Sequence, residues 1–257
     1  MNLSSTVDRR LLVSWRADPE IVAGLLPAGM QPTIVAGSAV VGVCAMRLVH
    51  TRPAWLPAPV GCTSESAAHR VAVTSQGEEQ VFIWQRHSAS RINQLAGGRL
   101  FPGVMERARF DVRDTPDRLR ISVAGRDDDL RIALDVQRSA QFESEVFADL
   151  AEASAFYERA AVGLSPGRDA AQLEGMRLHT DAWAVQPVDV LSATSSFFDD
   201  TERFPRGSIV LDSALLMRRM PVTWSPTRAT RTRSRPGRRT PLRDRARHHD
   251  VGTSRTR

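Results

Sequence analysis

The sequence predicts a mainly β fold of the α+β class, an antiparallel barrel or sandwich, from three observations. Short apolar runs recur along residues 1–224, turn residues separate them at hairpin spacing, and only two segments carry a helical pattern. The chain has 257 residues, of which 42% are hydrophobic and 25% charged, so it is long enough to close one sizeable core. We therefore expect one main domain over residues 1–224.

Seven or more strands are expected, because each apolar run is short and ends at turn residues. A buried apolar run at 39–48 comes first. Residues 68–75 and 80–86 bracket the turn residues Gln76 and Gly77, which is typical of a hairpin. The later strand-like segments are 104–113, 118–124, 130–137, 176–194 and 209–218. The turn DTPD joins the first of these to the second, and the turn GRDDD joins the second to the third.

Two packing helices are expected from their capping residues. Asp18 is a favourable N-cap and is followed by Pro19 in the first turn. Asp149 and Glu152 form a capping-box-like start to LAEASAFYERAAVG, and Gly163 is the predicted C-terminal cap. The apolar face of this second helix consists of Leu150, Ala153, Phe156, Tyr157 and Ala160.

The positive charge is concentrated in residues 225–257. This segment holds 11 arginines and two aspartates, a net charge of +9, whereas residues 1–224 carry a net charge of −3. The domain itself therefore gives no reason to expect a nucleic-acid partner. The segment has almost no large apolar side chains, so we expect it to be a disordered tail. It is either a basic arm that contacts RNA, DNA or an acidic surface, or the product of an unintended reading frame.

Several classes of chemistry are excluded by what the sequence lacks. All 35 strongly basic residues are arginine, so no lysine amine is present to form a Schiff base. The motifs HExxH, GxSxG, GxxxxGK[ST] and paired CxxC are missing, so we expect no metal site and no cofactor. Cys44 and Cys62 are expected in the core. No apolar stretch is long enough for a membrane span or a secretion signal, which predicts a cytoplasmic protein with no membrane partner.

The first candidate site is the segment TSESAAHRVAV, residues 63–73. In a strand, Glu65 and His69 fall on the same side as Val71 and Val73. If the valines face the interior, the carboxylate and the imidazole do so too, and they must then be paired or hydrogen-bonded. Alternatively, the segment is not yet regular strand at Glu65, or this pair faces solvent at the rim.

The second candidate site is the arginine-rich segment FIWQRHSASRINQLAGGRLFPG, which also contains His87. Arginine recognises carboxylates and phosphates through forked hydrogen bonds, so Arg86, Arg91 and Arg99 are candidate anion-binding residues. Alternatively, these arginines form structural salt bridges with Glu65 and other acids.

A third polar patch is SSFFDDTERFPRGS, residues 195–208. Asp199 and Asp200 lie beside Phe197, Phe198 and Phe204 in this segment. They form either a ligand lid with a divalent-cation site or a solvated loop that its phenylalanines anchor to the core, and we favour the loop.

Several ordered blocks resemble the DUF2071 family of bacterial proteins, which includes the YqjF-like proteins and is related to acetoacetate decarboxylase. The blocks are RLLVSWRADPEIVAGLLPAG, TSESAAHRVAV, RHSASRINQLAGGRLFPG, LAEASAFYERAAVGLSP and SSFFDDTERFPRGSIVLDSALLMRRMPVTW, and they span roughly residues 7–224. The resemblance implies a curved antiparallel, barrel-like sheet that encloses a small cavity and carries two or three packing helices. The tail has no counterpart in it.

The resemblance also indicates where the chemistry differs. Acetoacetate decarboxylase carries a block like GRExxGxPKK, in which a lysine forms an imine with the substrate ketone. Here GGRLFPGVMER keeps Arg99 and Gly103, but Leu100 replaces the acid, and Glu106 and Arg107 stand at the lysine positions. Amine-based decarboxylation is therefore not expected.

Two classes of function remain. In the first, a small cavity binds a carboxylate or carbonyl compound, with lyase-like or proton-transfer activity that needs no imine. The candidate substrate-binding residues are Arg86, Arg91, Arg99 and His69, and the candidate proton-exchanging residues are Glu65 and His87. In the second, the barrel is a non-catalytic ligand-binding or structural module, and only its basic tail contacts nucleic acid. The sequence does not determine the oligomeric state.

Overall fold

The fold was analysed in a computed structural model, which describes residues 1–57, 61–75, 77–91, 94, 103–169, 171–227 and 230–231. The elements in chain order are β1 (Leu3–Ala17), α1 (Pro19–Gly24), β2 (Gln31–Pro32), β3 (Ile34–Val35), β4 (Ser38–Pro53), β5 (Cys62–Ser75), β6 (Glu78–Ser88), β7 (Glu106–Asp114), β8 (Arg118–Gly125), β9 (Arg131–Arg138), α2 (Leu150–Arg159), β10 (Val162–Pro166), β11 (Gln172–His179), β12 (Gln186–Ser195), β13 (Ile209–Pro226) and β14 (Thr230–Arg231).

Within the described ranges, nine strands close into a barrel in the order β6, β7, β8, β9, β12, β13, β1, β4 and β5, and the β5–β6 hairpin completes the ring. All neighbours in this ring are antiparallel except β6 and β7, which run parallel with His87 opposite Glu106. The connection from Ser88 to Glu106 is long enough for the crossover that a parallel pair requires. The mainly β, barrel-like fold is therefore confirmed, with two parallel pairs that the hairpin pattern did not predict, β6 with β7 in the ring and β10 with β6 beside it.

The long strand β1 lies between β13 and β4 in the barrel. On one side it pairs with β13 from Leu3 opposite Trp224 to Ala17 opposite Ile209, and on the other side it pairs with β4. Alternate side chains of β1 enter different cores, because successive residues of a strand point to opposite faces. Leu11 belongs to the core inside the barrel, whereas Leu12 belongs to a second core outside it.

The outer core lies between the barrel wall and helix α2. Ala153, Phe156 and Tyr157 form the buried face of α2, and they share a cluster with outward-facing residues of β1, β4 and β13 and with Leu178 of β11. The barrel is therefore covered on this side by helix α2, with Leu178 of β11 beside it.

The capping residues of both predicted helices act as expected. The Asp18 carboxylate accepts hydrogen bonds from the backbone N–H groups of the first turn of α1, and the Asp149 carboxylate accepts one from the N–H of Glu152 in α2. The prediction for Gly163 was wrong, because α2 ends at Arg159 and Gly163 lies in β10. Among the described residues, neither helix is long and apolar enough to cross a membrane.

The sheet extends slightly beyond the predicted domain boundary at residue 224. Strand β13 continues to Pro226, and the two residues of β14 pair with β11. Residues 232–257 lie outside the described residues, so their disorder stays a prediction. The two cysteines differ from expectation as well, since Cys44 is buried but Cys62 is exposed.

Candidate functional site

Strand β5 carries the predicted line of inward-facing residues. Ala67, Val71 and Val73 are buried in the core inside the barrel, and His69 on the same side of the strand is completely buried. The Glu65 side chain, next in this series, is only 14% exposed. The expectation that Glu65 and His69 share the inner face of one strand therefore agrees with the structure.

The partners of Glu65 are not the arginines expected from the sequence. Its Oε2 lies 2.7 Å from Nη2 of Arg9, and its Oε1 lies 3.2 Å from Nη1 of Arg47. Both carboxylate oxygens are therefore held by guanidinium groups from β1 and β4. This arrangement favours a structural role for Glu65 over the exchange of protons with a ligand.

Arg9 is the centre of a larger ionic network inside the barrel. Its side chain is 3% exposed and also lies 3.3 Å from Asp114, which in turn binds Arg218 at 2.6 Å. Partial burial acts to raise the pKa of Asp114, but hydrogen bonds and charge from Arg218 and Arg9 outweigh this effect and lower it. The alternation Arg9, Leu11, Val13 along β1 was the available sequence signal for an inward-facing arginine.

His69 is enclosed by the loop that follows β12. Its Nε2 lies 2.8 Å from Oγ of Ser195, and its ring stacks on Phe197 at 4.7 Å and meets Phe198 edge-on at 5.3 Å. Burial, with smaller contributions from the charges of His87 and Arg203, lowers the pKa of His69 to about 3. The imidazole is therefore neutral at physiological pH, and its role in substrate binding stays a prediction.

The same loop shows that the third polar patch is anchored to the core. Asp199 accepts a hydrogen bond from the backbone N–H of Ser195, and Asp200 lies 3.5 Å from Arg203. The three buried phenylalanines of the loop are Phe197, Phe198 and Phe204. Both acids therefore have structural partners, as expected for the anchored-loop alternative.

His87 lies between two carboxylates that the sequence did not indicate as its partners. Its side chain has no exposed surface, and its Nε2 lies 2.7 Å from Oδ2 of Asp128 and 3.6 Å from Oε2 of Glu106. Burial acts to lower the pKa of His87, but hydrogen bonds to Glu106 and Asp128 and their charges raise it above its usual value. Its Nδ1 is buried and has no hydrogen-bond partner among the described residues.

The barrel topology and one turn bring these three residues together. Glu106 begins β7 directly opposite His87 in the parallel pair. Asp128 belongs to the turn GRDDD, where its Oδ1 accepts a hydrogen bond of 3.3 Å from the N–H of Leu130. A Cβ at Gly125 would overlap the Asp128 carboxylate, so the position of this carboxylate depends on glycine there. The sequence marked GRDDD as a turn, but nothing in it indicated which aspartate reaches His87.

Arg86 and His87 point to opposite faces of β6. The guanidinium of Arg86 lies outside the barrel beside Gly103 and Gly163, and the N–H of Gly103 donates to Oε2 of Glu174 at 2.7 Å. Burial lowers the pKa of Arg86 to about 10, although Cys44 and Glu174 act in the opposite direction. The structure therefore does not bring Arg86 to the cluster of His87.

Arg91 belongs to a basic rim near the start of β7. Burial and the charges of Arg126 and Arg91 lower the pKa of Arg107, against the opposing charge of Asp127. Arg91 and Arg126 are exposed, and the N–H of Arg126 donates to the carbonyl of Arg107. We call Arg91, Arg107 and Arg126 the basic rim. Arg99, the third predicted anion-binding arginine, lies outside the described residues.

A small cavity lies in the outer core and not inside the barrel. Its volume is about 10 Å³, and Ser14, Gly42, Arg70 and Tyr157 are among its lining residues. That space suffices for about one water molecule. The described residues of the 84–103 segment are not part of its lining, and a ligand-sized cavity bounded by both candidate segments stays a prediction.

Solved structures with the same fold come from proteins related to acetoacetate decarboxylase. Acetoacetate decarboxylase from Legionella pneumophila has a TM-score of 0.57 at 13% identity, with 86% of this chain and 87% of that chain covered. An acetoacetate decarboxylase-like enzyme from Sphingomonas wittichii RW1 has a TM-score of 0.55 at 14% identity, covering 91% and 92%. The enduracididine biosynthesis enzyme MppR complexed with pyruvate has a TM-score of 0.54 at 10% identity, covering 88% of each chain. At these identities the similarity shows the fold alone.

Sequence comparison assigns the chain more specifically. No curated protein matches it. The family model of DUF2071, described as an uncharacterized conserved protein, matches residues 4–213, which extend from β1 into the first residues of β13. The chain therefore belongs to the DUF2071 family, with an acetoacetate decarboxylase-like fold.

Proposed function

We propose that the chain binds a small carboxylate or carbonyl compound at the barrel end formed by His87, Glu106 and Asp128, and that it acts on this compound without an imine. The observation that carries this proposal is the position of His87, a completely buried imidazole whose Nε2 faces two carboxylates. A cluster of this kind in one barrel end is a typical place for proton exchange with a bound ligand.

The residue at position 106 supports the proposed location. Glu106 stands at a lysine position of the acetoacetate decarboxylase block, and its side chain is 56% exposed, so the cluster is reached from solvent on that side. Two of the structural neighbours are a decarboxylase of acetoacetate and an enzyme complexed with pyruvate, which are compounds of the proposed ligand class. A carboxylate cannot form an imine, so the reaction in this chain must proceed differently.

The basic rim supports an anionic ligand. The charges of Arg91 and Arg126 act on Arg107 at the start of β7, and cationic side chains at this end favour the approach of small carboxylates. Of the predicted anion-binding residues, we therefore keep Arg91 at this end. Arg86 faces away from it, and Glu65 is held by Arg9 and Arg47.

A non-catalytic barrel is the second candidate function. The observation in its favour is the packed interior, where aromatic side chains of the loop after β12 fill the space around His69. In this alternative the protein binds a ligand or supports a partner without turnover. Contact with nucleic acid is assigned to the arginine-rich tail, and the cytoplasm stays the proposed location.

The test combines ligand stabilisation with product analysis. Short keto acids, fatty acids and acyl compounds are screened by thermal shift on the full chain, and the ligands that stabilise it are examined for turnover. We expect His87→Gln to abolish any turnover and His179→Gln, a change of an exposed histidine, to leave it unchanged. Borohydride should trap no adduct, because no lysine is present. Saturable stabilisation without product would favour the non-catalytic barrel, and no stabilisation by any compound would contradict ligand binding in both forms of the proposal.

A further inference from the structure

We propose that His87, Glu106 and Asp128 bind a divalent transition-metal cation. This inference deepens the proposed function, because the cation would activate the ligand's carbonyl group at the same barrel end. It departs from the expectation from sequence motifs, which indicated no metal site. The three side chains come from β6, β7 and the turn between β8 and β9, so no linear motif records them.

The donor atoms are spaced as metal ligands require. The imidazole nitrogen and one oxygen of each carboxylate all lie within 4.8 Å of one another. Nε2 of His87 is 2.7 Å from the Asp128 oxygen and 3.6 Å from the Glu106 oxygen. With metal–ligand bonds of about 2.0–2.2 Å, adjacent donors lie roughly 3 Å apart, so small side-chain shifts would complete the site.

Two of the three ligands are held in place and the third faces solvent. His87 is completely buried, and the backbone N–H of Leu130 fixes the other oxygen of Asp128. The partly exposed Glu106 leaves one side of the cluster open to water or a ligand. A buried imidazole, one fixed carboxylate and open positions correspond to a catalytic metal site and not to a closed structural one.

Charge and donor type indicate the class of cation. With a neutral imidazole the two carboxylates leave the cluster with two negative charges, which a divalent cation balances beside a buried ring. One nitrogen and two oxygen donors suit Zn²⁺, Mn²⁺, Fe²⁺ or Co²⁺ better than Mg²⁺ or Ca²⁺, which prefer oxygen donors alone.

The chemical role follows from the position of Glu106. In the acetoacetate decarboxylase block a lysine imine withdraws electrons from the substrate carbonyl carbon, and no such amine exists here. A divalent cation at the same place withdraws electrons from a carbonyl oxygen as a Lewis acid. The carboxylate at position 106 would then hold the group that replaces the imine.

The experiment measures metal binding directly, without an organic ligand. The full chain carries His248 and His249, an adventitious pair of metal ligands, so both are changed to alanine in the reference protein. EDTA-treated protein is titrated with Zn²⁺, Mn²⁺, Co²⁺ and Mg²⁺ by calorimetry, and the visible spectrum is recorded with Co²⁺. We expect one equivalent of a transition metal to bind, with Mg²⁺ binding much more weakly.

Matched variants locate the site. Glu106→Gln and Asp128→Asn should each weaken metal binding about tenfold or more, and both should change the Co²⁺ spectrum. Asp129→Asn, an exposed neighbour in the same turn, should have no effect. Glu106 is partly exposed, so its variant is expected to fold, and thermal unfolding verifies this. No stoichiometric binding, or binding that is equal in the reference protein and these two variants, would overturn the inference.

The failure of this inference is distinguishable from the failure of the proposed function. The ligand screen is repeated in EDTA and with the bound metal. Ligand stabilisation without metal binding would overturn only the metal site. Metal binding without response to any oxo compound would support the site and overturn the proposed ligand class.

Discussion

Lowering the pH from about 7 to about 5 should destabilise the protein through one buried side chain, His69. Its ring is enclosed by Phe197 and Phe198 and bonded to Ser195, and its pKa in the folded protein is lowered to about 3. In the unfolded chain the same imidazole titrates near 6.5. Below that value the unfolded state binds a proton that the folded state does not, so the free energy of unfolding decreases.

The expected loss follows from these two pKa values. Each pH unit between them is worth at most about 1.4 kcal/mol, and the loss from pH 7 to pH 5 integrates to roughly 2 kcal/mol. For a chain of this length that corresponds to a decrease in melting temperature of about 4–8 °C. His87 acts in the opposite sense, because its raised pKa contributes stability below pH 6.5 that is lost as the pH rises. The lowered pKa values of Asp114 and Asp135 affect stability only at more acidic pH.

Urea denaturation at several pH values in this range tests the reasoning. The loss of stability between the two ends should be about 2 kcal/mol larger in the wild-type protein than in His69→Gln, because the opposing contribution of His87 is common to both. His179→Gln serves as the control for an exposed histidine and should keep the wild-type pH dependence. Equal pH dependence in wild type and His69→Gln would refute the assignment of this effect to His69.

Three further predictions concern other parts of the fold. Arg9→Met leaves Glu65 partly unpaired inside the barrel and should cost about 3–5 kcal/mol in chemical denaturation, whereas the more exposed Arg47→Met should cost about 1 kcal/mol or less; equal costs would contradict the central place of Arg9. Phe156→Ala removes a buried ring from the inner face of α2 and should cost about 3–5 kcal/mol in chemical denaturation, more than a truncation to alanine at an exposed position. A chain that ends after Arg231 should melt within error of the full chain, since residues 232–257 contain only Leu242 and Val251 as large apolar side chains to bury; a loss of several degrees would show that the tail packs on the domain.

Local patterns were sufficient to predict most strands of the barrel, both N-caps and the inward series of β5, but not β1 or β10. They depend on neighbours in sequence, as in the alternation from Glu65 to Val73. The partners of the polar residues are determined by how the barrel closes. Two residues that become partners in this way can lie far apart in the sequence. Arg9 and Asp114 are 105 residues apart, and His87 and Asp128 are 41 apart. Arg86 illustrates the same limit, because its neighbours on β10 and β11 lie in a layer that strand periodicity alone does not reveal.

The pairing of β1 with β13 has a consequence for how the chain folds during synthesis. Strand β1 is made first, and one of its edges can pair early with β4. Its other edge stays unpaired until β13 has been made, near the end of the domain. During this interval a long apolar strand exposes free backbone N–H and C=O groups, a known starting point for pairing between copies of a chain. Aggregation of nascent or shortened chains should therefore depend on β1, and a chain that ends before Ile209 should be the most vulnerable.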